Sequence, residues 1–257
     1  MNKNILVHFY LSELYNRGIM YNTDLFEKSL NELKLNISDL QMEQFLKYYE
    51  FLVEKNKVMN LTGITDFDEV ITKHFVDSLS IVKIYDLQNV GTLIDVGTGA
   101  GFPGLPIKIM FPDIKVTLMD SLNKRINFLR ETSDMLSLTG MEFIHGRAED
   151  IAREKNHREM YDLCVSRAVA NLSTLSEYCL PFVKVGGSFI CYKAGNSEKE
   201  IENAQKAVKE LSGVIKEKAD FNLPFSDNSR TLLNIYKEKN ISNRFPRKPG
   251  IPAKNPL

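Results

Sequence analysis

The chain has no run of about 18 apolar residues, which excludes an ordinary membrane-spanning helix. Cysteine is scarce: Cys164, Cys179 and Cys191 are odd in number and include no close pair of the kind that grips zinc. All three sit in apolar stretches, so we expect reduced core cysteines in a cytoplasmic protein without a metal site. An excess of one charge is also missing, because 33 basic residues balance 33 acidic ones. The field of the whole molecule is therefore weak, and any nucleic-acid contact must come from locally concentrated cations. Heptads are absent too, which leaves a monomer as the expected state. Residues 1–14 are mildly apolar, but His8 interrupts them and no small-residue cleavage site follows, so they do not read as a secretion signal. The hydrophobic share, in contrast, is 43%, with 15 Phe and 10 Tyr, which excludes global disorder. At 257 residues the chain suits one large domain, or one domain with a small appendage.

The first 90 residues read as helical. Ser38 and Gln41 have the spacing of a capping box, and Phe45, Tyr48, Tyr49, Leu52 and Val53 follow at helical period. A second helical stretch runs over 67–84. From Gly91 short apolar strands alternate with amphipathic helices. Strands are expected at 92–96, 115–119, 141–145, 161–166 and 188–192, the last after a turn at Gly186-Gly187. Helices are expected at 122–138, through Leu172, Leu175 and Leu180, and at about 197–211. This alternation predicts an α/β fold with a parallel, doubly wound sheet. Two late strands, 214–221 and 231–237, have no helix between them and predict an antiparallel hairpin at one edge. The remainder, 240–257, reads as a basic, proline-rich tail in which Arg244, Arg247, Lys248 and Lys254 face no acidic residue.

The densest motif is Leu93-Ile94-Asp95-Val96-Gly97-Thr98-Gly99-Ala100-Gly101-Phe102-Pro103-Gly104. A strand turns sharply into a helix here, and the glycines allow close backbone approach to a ligand. Gly97, Gly99 and Gly101 give one glycine pattern, while Gly99, Gly101 and Gly104 give the dinucleotide spacing, so glycines alone leave the cofactor open. Three features favour S-adenosylmethionine over NAD. Asp95 precedes the first glycine and can orient the loop or reach an ammonium through water. Pro103 crowds the helix start where a pyrophosphate would seek N–H donors. The loop also lies in mid-chain behind a helical cap. Asp120, ending the second strand, is placed to accept from a ribose diol, or else to cap the following helix. Glu149, after the third strand, is placed for an adenine amino group with the Ala148 N–H on a ring nitrogen, or else belongs to an acidic first helical turn.

After the fourth strand stands Ser166-Arg167-Ala168-Val169-Ala170. It holds neither an Asp/Asn-Pro-Pro-aromatic motif for exocyclic amines nor a Pro-Cys for attack on a pyrimidine. Arg167 dominates instead, and a cation suits phosphate or the O6 and N7 acceptors of guanine. Guanine N7 carries its own lone pair, so its methylation needs positioning and no general base. We therefore name no catalytic base, only Arg167 for target positioning. Arg167 paired with Glu149 or Asp150 is the structural alternative. Lys73, His74, Lys193, Arg244, Arg247 and Lys248 are the RNA-contact candidates, with Lys124 and Arg125 either nearby or on a solvated helix face.

The ordered motifs together resemble the RsmG (GidB) family of small-subunit ribosomal RNA guanine-N7 methyltransferases. They comprise Asn60-Leu61-Thr62, Lys73-His74-Phe75-Val76-Asp77-Ser78, the glycine loop, Asp120-Ser121-Leu122-Asn123-Lys124-Arg125, Arg147-Ala148-Glu149, Ser166 to Ala170, and Phe245-Pro246-Arg247-Lys248-Pro249-Gly250. The resemblance implies a Rossmann-like class I methyltransferase fold, S-adenosylmethionine as cofactor, and 16S ribosomal RNA in the small subunit as partner. It implies cofactor contacts at Gly97, Phe102, Ala148, Glu149 and Arg167, with Asp120, Ser121, Leu122 and Asn123 near the ribose and adenine. Gly99 and Gly101 join that set through the loop. The family begins near Met20, which divides the chain into an extension (1–19), a helical cap (20–90), a cofactor-binding domain (91–239) and the tail (240–257). Methylation of a protein or small molecule, and a non-catalytic assembly role, are the competing expectations.

Overall fold

A computed structural model describes residues 21–167, 169–195 and 197–257. The extension 1–19 and Ala168 lie outside the described residues. The cap comprises α1 (Asp24–Glu32), α2 (Asp39–Met59) and a composite helix α3. The latter runs Phe67–Val70, a π-helical turn Ile71–Val76, Asp77–Leu79 and a 3-10 turn Ser80–Lys83. The capping box forms as its spacing requires: the Ser38 hydroxyl accepts from the Gln41 N–H, and the Gln41 side chain accepts from the Ser38 N–H. The Gln41 amide also donates to the carbonyls of Ile109 and Met110, tying the cap to the helix after the glycine loop.

Seven strands form one sheet in the order β3-β2-β1-β4-β5-β7-β6. They are β1 (Thr92–Val96), β2 (Lys115–Asp120), β3 (Met141–His145), β4 (Tyr161–Arg167), β5 (Val183–Ala194), β6 (Gly213–Asn222) and β7 (Ser229–Lys237). The first five are parallel, and β7 pairs antiparallel with both β5 and β6. The helices between them are α4 (Gly104–Met110), α5 (Asn123–Met135), α6 (Ala148–Ile151), α7 (Leu172–Cys179) and α8 (Glu198–Glu210), and α9 (Ile251–Lys254) closes the chain. Strand β5 differs from expectation. It begins at Val183 and runs through Gly186-Gly187, where the register against β4 shifts between Tyr161 and Leu163. Glycine explains this, because a Cβ on Gly187 would lie 2.6 Å from the Asp162 carbonyl.

Alternate side chains divide the core across the sheet. Leu93, Val116, Leu118, Val165 and Ile190 face the cap, joining Phe45, Tyr48 and Phe75 in one cluster. Ile94, Val96, Cys164, Phe189 and Cys191 face the other way, against Leu172, Leu175 and Cys179. The three cysteines are free and buried. No helix among the described residues is long and apolar enough to cross a membrane.

Candidate active site

The glycine loop joins β1 to α4, and its shape is held by carboxylates. Asp95, fully buried, accepts from the Thr98 hydroxyl at 2.7 Å and the Gly104 N–H at 2.8 Å through Oδ2. Its Oδ1 has no hydrogen-bond partner among the described residues. Burial pushes this carboxyl up to about 7, against the lowering pull of those two bonds and of Arg167. Asp120 accepts from the Gly99 N–H (3.0 Å) and from Arg125 (3.2 Å) through Oδ2, and from the Leu122 N–H (2.9 Å) through Oδ1. It is therefore no cap for α5, whose N-cap is Leu122. The loop backbone turns where only glycine fits easily. Gly97 has φ +73°, and a Cβ there would lie 2.6 Å from Val169 Cγ2.

From the cap side, the buried Tyr48 hydroxyl donates to the Ala100 carbonyl at 2.5 Å. Desolvation holds that phenol well above its usual range, so it stays a donor. Phe102 is sandwiched under the cap, with its ring centroid 5.4 Å from Tyr48 and 4.5 Å from His74, and the Arg167 guanidinium 5.1 Å over its face.

A cleft of about 490 Å³ opens at the carboxyl ends of β1 to β3. Val96, Gly97, Met119, Asp120, Ser121, Arg125, Ala148, Glu149, Val169 and Tyr178 line it, together with Gly250 and Ala253 from the far end of the chain. This is the position where open α/β sheets bind ligands. The structure thus brings Gly97, Asp120, Ser121, Ala148 and Glu149 together. Gly99, Gly101, Phe102, Leu122, Asn123 and Arg167 do not line this cleft: the glycines shape the loop behind it, Phe102 packs under the cap, and Leu122 is exposed.

Arg167 belongs to a neighbouring cavity of about 430 Å³, with Lys73, His74, Asp77, Tyr192, Lys193 and Arg230. Val169, two residues on, faces the cleft, so the end of β4 separates the two spaces. The expected pairing of Arg167 with Glu149 or Asp150 is corrected. Its Nη1 donates to Asp77 Oδ2 at 2.8 Å and to the Lys73 carbonyl at 3.0 Å. Arg230 Nε donates to Asp77 Oδ1 at 2.9 Å, so one buried carboxylate holds two guanidinium groups. Asp77 is buried in a helix that also buries Val70, Ile71, Phe75, Val76 and Leu79, and a buried carboxylate requires a partner. His74 bonds Thr62 Oγ1 at 2.8 Å, and burial together with the Arg167 charge lowers its pKa to about 4. Lys193 Nζ reaches the Ala170 carbonyl (2.7 Å) and Glu200 (2.6 Å), and Lys73 pairs with Glu69.

The tail also differs from expectation. Arg244 pairs with Glu210 and Arg247 with the fully buried Glu177, whereas Lys248 and Lys254 are exposed. Such partners lie too far along the sequence to be read from spacing.

Comparison with known proteins identifies the family. The family model described as rRNA small subunit methyltransferase G matches residues 41–226. The ribosomal RNA small subunit methyltransferase G of Alkaliphilus metalliredigens is 51% identical over 233 residues, covering 91% of this chain and 98% of that protein. The protein of the same name from Bacillus licheniformis is 49% identical, covering 92% and 99%. Among solved structures, a methyltransferase from Pyrococcus furiosus superposes with a TM-score of 0.51 at 14% identity, covering 76% of this chain and 98% of that one. The YcgJ protein from Bacillus subtilis gives 0.52 at 12% identity, covering 65% and 100%. These two share the fold. The match of the family model over most of the chain, together with relatives about half identical along nearly its whole length, places this chain in the ribosomal RNA small subunit methyltransferase G family.

Proposed function

We propose that this chain transfers a methyl group from S-adenosylmethionine to N7 of one guanine in 16S ribosomal RNA, acting as a monomer in the cytoplasm. The observation that carries the reading is the pair of neighbouring spaces, a cleft with carboxylates at the end of β2 and on the helix after β3, and a cationic cavity beyond the end of β4. The three buried, unpaired cysteines suit a reducing compartment.

The residues of the cleft fit the cofactor. Val96, Met119, Ala148, Val169 and Tyr178 offer apolar walls for an adenine, with Asp120 and Glu149 as acceptors for ribose hydroxyls and an exocyclic amine. Asp95 Oδ1 is a buried acceptor that no described residue satisfies, and although Asp95 does not line the cleft it would reach a ligand ammonium through water. When bound, S-adenosylmethionine supplies an activated methyl on a sulfonium.

The protein's part is then positional. Arg167 and Lys193 offer donors to guanine acceptors or phosphate. Asp77 keeps Arg167 in place and is itself committed to two arginines. His74, with its pKa lowered to about 4, is a poor proton acceptor at neutral pH. With Asp77 the sole carboxylate among the lining residues, the cavity suits an atom that attacks through its own lone pair, as guanine N7 does.

The test is transfer of labelled methyl to small ribosomal subunits from a strain lacking the gene, followed by digestion and mass spectrometry of nucleosides. We expect stoichiometric 7-methylguanosine with the native chain and none with Arg167→Ala, which should still bind the subunit. A different modified nucleoside would displace the N7 assignment. No transfer to subunits or bare RNA would sink the RNA reading.

A further inference from the structure

The segment after β7 is bound down along its length. Arg158 donates to the carbonyls of Phe245 (2.9 Å) and Ile241 (3.2 Å), both buried residues, and Arg153 donates to that of Pro246. Arg247 then meets Glu177 on α7. Its Nη2 donates to Oε2 at 2.7 Å, its Nε to both oxygens at 3.0 and 3.1 Å, and its backbone N–H to Oε1 at 2.7 Å. Charge-assisted, two-pronged contact of this kind fixes geometry as well as adding energy. Three residues on, the Gly250 N–H donates to Glu149 Oε1 at 3.0 Å. The Thr174 hydroxyl donates to the Pro252 carbonyl at 3.0 Å, pinning α9 against α7. Gly250 and Ala253 line the cleft.

We infer that residues 247–253 form a wall of the cofactor cleft, in which Arg247 and Gly250 are positioning residues that orient the Glu149 carboxylate. This rests on the reading of the cleft as the S-adenosylmethionine site. The tail takes one oxygen of Glu149, which fixes the rotamer and turns the second toward a ligand. A carboxylate held by a backbone donor loses less freedom on binding than a free one. Ala253 meanwhile closes the cleft with a small side chain, where a larger one would intrude. The tail's chemistry is thus directed inward at a nucleoside, and Arg247 is unavailable for phosphate.

The experiment measures S-adenosylhomocysteine binding by calorimetry and the melting temperature, on the full chain and two variants. One ends after Pro249, keeping the Arg247–Glu177 contact but deleting Gly250 and Ala253. The other is Ala253→Trp, a change at an exposed position that leaves the core intact. We expect at least a tenfold rise in Kd for both, with the melting temperature of Ala253→Trp within about 2 °C of the native chain. Ala253→Trp should bind small subunits as the native chain does. Unchanged Kd in both variants would overturn the inference while leaving the cofactor reading intact. Weakened subunit binding with unchanged Kd would overturn it in favour of an RNA-contacting tail. Failure of the full chain to bind S-adenosylhomocysteine would overturn the cofactor reading and the inference with it.

Discussion

Replacing Asp77 by Asn tests the link between cap, sheet and reaction in one change. The side chain keeps its shape but loses the charge that two guanidinium groups share at 2.8 and 2.9 Å. Removing one partner of a buried pair costs about 3–5 kcal/mol. Here the arginine side chains retain 14% and 19% of their exposure, and Asn keeps one acceptor oxygen, so the cost falls to about 2–3 kcal/mol. For a chain of this size that lowers the melting temperature by about 5–10 °C. Loosening Arg167 costs the reaction separately: we expect roughly a tenfold fall in kcat/KM for methyl transfer, equivalent to about 1.4 kcal/mol at the transition state. Asp77 does not line the cleft, so S-adenosylhomocysteine affinity should hold within about threefold. Scanning calorimetry, methyl transfer to small subunits and ligand calorimetry measure the three quantities. Arg230→Gln alone and combined with Asp77→Asn completes a double-mutant cycle, with an expected coupling above about 1 kcal/mol. A variant that melts within about 1 °C of the native chain and transfers methyl at the native rate would refute the anchoring role.

Gly97→Ala places a Cβ 2.6 Å from Val169 Cγ2 at a φ of +73°, so we expect S-adenosylhomocysteine affinity to fall at least tenfold. Adding Val169→Ala should restore part of it by relieving the clash but not the backbone strain; native affinity in the single variant would contradict this reading. The stability-versus-pH profile should change in opposite directions in two further variants. His74, lowered from 6.5 to about 4, lets the unfolded chain take up the proton first, so its contribution is lost as pH falls from about 6.5 to 4. Asp95, raised from 3.8 to about 7, keeps its proton longer in the folded chain, so its contribution is lost as pH rises from about 4 to 7. Relative to the native chain, His74→Gln should gain stability toward pH 4 and Asp95→Asn toward pH 7. Each gain should reach a few kcal/mol, because a tenfold change in proton affinity is worth about 1.4 kcal/mol. Denaturant titrations at pH 4, 5.5 and 7 check the signs, and parallel profiles for all three proteins would contradict both.

The features that sequence made legible were local. The glycine loop between an apolar strand and a helix, the Ser38–Gln41 box and the alternation of short strands with helices each lie within a dozen residues, where period and turn chemistry operate. The Asp120 and Glu149 carboxylates could be placed at strand ends because a parallel sheet sends its strand ends to one edge. The two ion pairs that organise the site joined residues 90 and 70 positions apart, and no spacing rule reaches that far. A proline-rich basic tail likewise looks the same in sequence whether solvated or docked. What decides is a buried acid elsewhere, as Glu177 does for Arg247. Strand β5 was shortened in expectation because Gly186-Gly187 signals a turn, whereas here the pair relieves a close backbone contact.

The double duty of Gln41, capping one helix while gripping the end of another, has a consequence for how the molecule comes apart. Together with the Tyr48–Ala100 bond, it means that the helical segment cannot detach without releasing contacts to the glycine loop and to the end of α4. A shortened gene starting at Gly91 would keep α4 and α5 on the sheet but bare Phe102 and Phe128, which stack on Tyr48 and Phe51 of the cap, leaving an apolar patch prone to stick to its neighbours.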